Sequence, residues 1–562
     1  MASMSTILPL CLGLLLFFQV SMAQFSFGGS PLQSPRGFRG DQDSRHQCRF
    51  EHLTALEATH QQRSEAGFTE YYNIEARNEF RCAGVSVRRL VVESKGLVLP
   101  MYANAHKLVY IVQGRGVFGM ALPGCPETFQ SVRSPFEQEV ATAGETQSSI
   151  QKMRDEHQQL HQFHQGDVIA VPAGVAHWLY NNGDSPVVAF TVIDTSNNAN
   201  QLDPKRREFF LAGKPRSSWQ QQSYSYQTEQ LSRNQNIFAG FSPDLLSEAL
   251  SVSKQTVLRL QGLSDPRGAI IRVENGLQAL QPSLQVEPVK EEQTQAYLPT
   301  KQLQPTWLRS GGACGQQNVL DEIMCAFKLR KNIDNPQSSD IFNPHGGRIT
   351  RANSQNFPIL NIIQMSATRI ILQNNALLTP HWTVNAHTVM YVTAGQGHIQ
   401  VVDHRGRSVF DGELHQQQIL LIPQNFAVVV KARREGFAWV SFKTNHNAVD
   451  SQIAGKASIL RALPVDVVAN AYRLSREDSR HVKFNRGDEM AVFAPRRGPQ
   501  QYAEWQINEK ESMSVFQPTH LDRQQSGEKL HNQEEEEEYD KWGQGGGTKD
   551  DSCGDDGGGN GS

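Results

Sequence analysis

Four residues held in frameworks of glycine and proline define the chemistry this chain could attempt. Tyr102, Asn104 and Val109 follow the order Gly96-x5-Tyr102-x-Asn104-x4-Val109-x6-Gly116, and His177 falls in Gly166-x5-Pro172-x-Gly174-x2-His177-x3-Asn181. Among these four side chains only His177 is a strong metal ligand. A lone imidazole does not hold a metal tightly, because such sites use three or four protein ligands. Asn104 offers a weak oxygen and Val109 offers nothing, so His177 is expected to be a hydrogen-bonded histidine inside a β structure. No nucleophile elbow, P-loop, HExxH or GxGxxG occurs in a suitable setting. Glu291-Glu292 lies in polar sequence and reads as a solvated surface. The short basic pairs Arg433-Arg434 and Arg496-Arg497 suit subunit contacts or solubility better than nucleic acid.

Short strands must position these residues. Leu108-Val109-Tyr110-Ile111-Val112 runs into Gln113-Gly114-Arg115-Gly116, and Val168-Ile169-Ala170-Val171 runs into Pro172-Ala173-Gly174. Strands of this length between turns indicate a sandwich or small barrel, with residues 125–165 as a long external loop. The period then becomes helical. Leu245, Leu246, Ala249 and Leu250 form one stripe, and Ser253 opens a second helix carrying Val257 and Leu260. The whole pattern recurs. Pro380 to Gly397 repeats Pro100 to Gly116 with one extra residue, and Asp244-x4-Ala249-x3-Ser253 returns as Asp466-x4-Ala471-x3-Ser475. Ser475-x-x-Asp478 reads as a capping box. The positions matching the four candidates are Thr383, Asn385, Met390 and Val428, none a strong ligand for a hard or borderline metal.

With 562 residues and a net charge of -3, the chain exceeds one core, and its charge selects neither nucleic acid nor an anionic membrane as partner. Residues 1–23 read as a secretory signal peptide cut between Ala23 and Gln24. Residues 24–45 read as a flexible segment, 46–279 as a first barrel with a helical extension, and 280–340 as a linker. A second barrel with its extension follows at 341–512, and 513–562 form an acidic, Gly-rich tail. Without Cys11, six cysteines remain (48, 82, 125, 314, 325 and 553), and in an oxidising compartment they allow about 15 pairings. There are 53 glutamines, each with an extra side-chain nitrogen.

The two glycine–proline frameworks match the signature motifs of the cupin barrel, so the fold is expected to be mainly β: two tandem jelly-roll barrels, each with a helical extension. In metal-dependent cupins the first motif supplies His, His and Glu and the second one His. Here Tyr102, Asn104 and Val109 stand at the first three positions, which leaves no metal and no cofactor expected. More specific marks are Cys48-Arg49-Phe50, Phe80-Arg81-Cys82, Pro123-Gly124-Cys125-Pro126-Glu127-Thr128-Phe129, Ala176-His177-Trp178, Asn353-Ser354-Gln355-Asn356-Phe357-Pro358 and Pro423-Gln424-Asn425-Phe426. Together they resemble a legumin-type (11S) seed storage globulin over roughly residues 45–515.

That resemblance implies a nutrient reservoir without catalysis, a possible allergen, assembled as trimers and then hexamers in the protein storage vacuole. It implies bridges Cys48–Cys82 and Cys125–Cys325, and cleavage by an asparaginyl endopeptidase at Asn318-Val319, where the family usually has Asn-Gly. Cys314 and Cys553 have no family counterpart. The helical stripes, with Leu246 and Val468 in matching positions, are expected to bury themselves between copies. Two other readings share the fold: a metal-dependent cupin such as an oxalate oxidase, which needs three more ligands, and a small-molecule-binding barrel.

Overall fold

Val187–Asp194 has every residue buried, and such a run needs cover on both faces. It pairs antiparallel with Val85–Val92, from Val187↔Val92 to Asp194↔Val85, and on its other side with His106–Gln113. These three strands are the middle of a seven-stranded sheet. In the computed structural model that forms the basis for this description, the described residues are 48–127, 129–130, 156–213, 236–277 and 324–495, apart from 49, 73, 75, 76, 263 and 264. Ala23, Gln24, Cys314, Asn318, Val319 and Cys553 lie outside them.

Five further strands form the opposing layer, in the order Glu208–Phe210, Gly96–Ala103, Ala176–Tyr180, Arg115–Ala121 and Leu160–His164, with Ile270–Arg272 also on Gly96–Ala103. The two layers close the first jelly roll. The second is one ten-stranded sheet in which Thr388–Val402 and Ala427–Lys443 run through both layers, paired from Thr388↔Lys443 to Val402↔Ala427. The bend falls where the register slips, between Val392 and Gly397. Gly395 sits there at φ +71°, and a Cβ would come within 2.2 Å of the Gly436 carbonyl oxygen, so only glycine fits.

One apolar core runs from inside the first barrel to the sheet face that meets the second. Phe190 stacks on Tyr391 with centroids 4.0 Å apart and touches Phe442. Two segments cross between the barrels. Phe50, Leu53 and Leu56 pack with the second barrel or bond to it, and Leu56 bridges Ile419. Arg330–Asn332, inside the 280–340 segment read as linker, adds an edge strand to Asp167–Val171, because Leu329 and Ile333 beside it are buried. Disulfides join Cys48 to Cys82 and Cys125 to Cys325, separations of 34 and 200 residues.

A helix pair follows each barrel: Pro243–Leu250 with Lys254–Gln261, and Val465–Tyr472 with Arg476–Phe484. Ser242, Ser253 and Ser475 cap three of them by accepting first-turn N–H groups. The Ser475 hydroxyl also donates to the Asp478 carboxylate, at 2.8 Å. Leu246 and Val468 are buried within the single chain, while their neighbours Leu245 and Val467 face outward. The residues expected to meet other copies are therefore the neighbours, one position along each helix.

Candidate functional sites inside the two barrels

The first-motif residues have been drawn into structural work. Tyr102 stacks on Phe209, with centroids 4.9 Å apart. Asn104 pins the following loop: its amide donates to Asn200 Oδ1 and the Lys205 carbonyl, and its oxygen accepts from the Arg207 N–H at 2.9 Å. Val109 packs on the core. Only His177 faces polar company inside the barrel. Its Nδ1 lies 2.9 Å from the Val175 carbonyl, so Nδ1 carries the hydrogen and Nε2 is left as an acceptor, 3.5 Å from the Lys107 ammonium. Among the described residues no group of three or more His, Cys, Asp or Glu is placed to hold a metal ion.

The centre of this site is a residue that the sequence did not single out. Glu208 receives Arg88 at 2.7 Å and Lys107 at 3.0 Å, and all three side chains are almost wholly buried. Burial opposes the Glu208 charge, but Arg88 and Lys107 override it and hold the carboxyl well below its usual range. Burial pulls the Lys107 ammonium down to about 8, with Glu208 working against that fall. Burial, and then Lys107 itself, push the His177 imidazole down to about 3, so it stays neutral. Burial alone pushes His106 to about 4, and its Nδ1 accepts the Ala173 N–H.

The second barrel holds the same four kinds of group. Lys443 donates to Asp450 and, at 3.2 Å, to Thr383, whose hydroxyl donates to Asp450 at 2.8 Å. Burial works against the Asp450 charge, but Lys443, together with the hydrogen bonds from Lys443 and Thr383, holds it below its usual range. His381 hydrogen-bonds through Nδ1 to the Thr379 carbonyl, and burial holds its imidazole low. Arg351 lines the same cavity. Asn385 fastens a loop, as Asn104 does, through Asn447 and the Val449 N–H. Met390 and Val428 are core residues.

Strand register shows how the two clusters correspond. The carboxylates coincide: Glu208 pairs with Ala103, and Asp450 pairs with Thr383. The other three groups have changed strands. Met101 pairs with His177 in the first barrel, and in the second His381 pairs with Val428, so the imidazole has crossed to its partner's place. Lys107 pairs with Ile193, whereas Thr388 pairs with Lys443. Tyr71 pairs with Arg88, whereas Arg351 pairs with Thr368. Cross-strand partners stand about 4.5–5.5 Å apart at Cβ, so a long side chain from either one reaches the same point. The register also makes Trp382, rather than Thr383, the counterpart of Tyr102, which makes Val384 the extra residue of the second copy.

The clusters differ in closure. Glu208 is one methylene longer than Asp450 and takes both cations of its barrel. Asp450 takes Lys443, and no described residue hydrogen-bonds the Arg351 guanidinium or Nε2 of His381. The second cluster lines a cavity of about 40 Å³, whereas a cavity of about 20 Å³ in the first barrel touches Arg88 but not Glu208, Lys107 or His177. The Thr383 hydroxyl of the second cluster is held between Lys443, which donates to it, and Asp450, to which it donates.

Comparison with known proteins places the whole arrangement. The family described as Cupin matches residues 53–217 and 331–480, which fall on the two barrels. Glutelin type-A 1 of Oryza sativa subsp. japonica is 50% identical over 84% of this chain and 93% of its own length. Cocosin 1 of Cocos nucifera is 48% identical over 88% and 98%. Among solved structures, the coconut allergen cocosin superposes with a TM-score of 0.66 at 46% identity, covering 80% of this chain and all of that one. Procruciferin, an 11S globulin from Brassica napus, gives 0.66 at 36% identity, covering 80% and 99%. Pumpkin seed globulin gives 0.64 at 38%, covering 80% and 100%.

Proposed function

The chain belongs to the cupin family as an 11S-type seed storage globulin, and from that premise we propose how the reserve is packed and released. Its function is storage, as in the globulins and glutelins it matches, which are not enzymes. Copies associate through their helix pairs, first as trimers and then as hexamers, in the protein storage vacuole. An asparaginyl endopeptidase cuts each chain once, at Asn318-Val319, and the Cys125–Cys325 bridge holds the two products together. The stored nitrogen is enriched by 53 glutamines and is drawn on at germination.

One observation carries the assembly. Each helix pair anchors to its own chain through few apolar side chains and turns the rest outward. Leu245 is 64% exposed and Tyr472 58%, and Leu258, Val467 and Phe484 are also exposed. Apolar side chains repeated on two equivalent helix pairs suit a ring in which like surfaces of neighbouring copies meet. Among the described residues no helix is long and apolar enough to cross a membrane.

Sedimentation velocity tests the reading. Leu245→Asp with Val467→Asp should shift the protein to monomers, and trimers of unchanged size would overturn the role of the helices. Gel electrophoresis of the native protein tests the cut: one band without reductant should become two with it.

A further inference from the structure

We propose that the interior of the C-terminal barrel binds a small hydroxycarboxylate, its carboxylate on Arg351 and Lys443 and its hydroxyl donated to Nε2 of His381. The three groups line one cavity of about 40 Å³ together with Thr383, Asp450 and Trp439. That volume is about three times the ~10–15 Å³ that seats one water, and suits a molecule of a few non-hydrogen atoms.

All three residues line this space. The Arg351 guanidinium offers up to five N–H donors, and no described residue accepts from it. A planar guanidinium matches a carboxylate in a two-point contact. Lys443 has three N–H donors, and Asp450 and Thr383 take two of them. His381 places its hydrogen on Nδ1, facing the Thr379 carbonyl, so Nε2 presents a lone pair and calls for a donor on the guest. Ile349, Ile370 and Val430 form the apolar remainder of the wall, which admits a short carbon chain and excludes extended polar molecules.

The first barrel is an internal control. There the corresponding cations, Arg88 and Lys107, both bond Glu208, and Lys107 also reaches Nε2 of His177. Glu208 thus occupies both cations there, although Nε of Arg88 is buried without a hydrogen-bond partner, and the cavity of about 20 Å³ beside Arg88 is not lined by Glu208, Lys107 or His177.

Isothermal titration of the full chain with glycolate tests the proposal, with acetate and methyl glycolate as comparison probes. Glycolate should bind at one site per chain, acetate at least fivefold more weakly, and the uncharged ester not measurably. Arg351→Met should weaken glycolate binding at least tenfold. Asp450→Asn removes the competing carboxylate and should tighten it severalfold, a gain that a folding defect cannot imitate. Absence of glycolate binding at millimolar concentration would overturn the proposal. So would equal affinity for acetate, or an affinity unchanged by Arg351→Met in a variant with the parent's circular dichroism.

Discussion

The two barrel interiors share a cluster composition but not a set of positions. Arginine, lysine and histidine have each moved to a cross-strand partner, while the carboxylate has stayed on the strand pairing with Gly96–Ala103 or Leu377–Thr383. The unit that persists between the copies is thus a place inside the barrel. Side-chain reach across a strand pair is enough to preserve it. The difference in closure comes from one methylene. Glu208 spans two cations, whereas Asp450 serves one and its neighbouring threonine.

The largest expected effect breaks the closed cluster. Glu208→Gln leaves Arg88 and Lys107 buried without their anion and should cost about 3–5 kcal/mol in chemical denaturation. Asp450→Asn should cost less, about 1–3 kcal/mol, because Lys443 keeps Thr383 and Arg351 never depended on Asp450. Equal losses would mean that closure carries no energetic difference between the barrels.

The exchange of strands can be imitated. Lys107→Thr alone should destabilise the first barrel, and adding Ile193→Lys rebuilds the second barrel's arrangement. A double-mutant cycle should show about 1–3 kcal/mol of favourable coupling. Additive losses would show that position, as well as place, is fixed.

Acid separates the buried histidines from the ion pairs. His177 and His106 are pushed down to about 3 and about 4 in the folded chain, against about 6.5 unfolded. The unfolded chain therefore binds more protons between these values, and stability declines as pH falls below about 6.5. For His177 the loss should be about 3 kcal/mol by pH 4. His177→Gln should flatten that decline in urea midpoints measured at pH 7 and pH 4.5. An unaltered slope would assign acid sensitivity to other groups.

The smallest effect concerns the helices. Leu245→Asp lies on an exposed face and should change monomer stability by no more than about 0.5 kcal/mol. Its thermal transition, followed at a concentration where the variant is monomeric, should match that of the dissociated parent. A loss of several degrees would place Leu245 inside the chain's own core.

Much of the fold was legible before any coordinates. Period-two runs, turn glycines and the repeat at Asp244 and Asp466 report short-range physics, and such physics is written locally. The helix caps at Ser253 and Ser475 are legible for the same reason, since each serine serves an N–H three residues on. The resemblance to storage globulins came from separated motifs such as Asn353 to Pro358. The face each helix turns inward was one residue off, because a stripe two residues wide fits either Leu245 or Leu246 until packing chooses.

The sequence by itself determined that two similar β barrels with helical extensions would form, and that the metal-ligand positions of the first hold Tyr102, Asn104 and Val109. Only tertiary structure decided what fills the interiors. Glu208 reaches Lys107 across 101 residues of chain, and the equivalence of Lys107 with Lys443 exists only through strand pairing. A local pattern records the direction a side chain takes from its own backbone. It does not record which distant side chain meets it there, and buried charge is settled by that meeting.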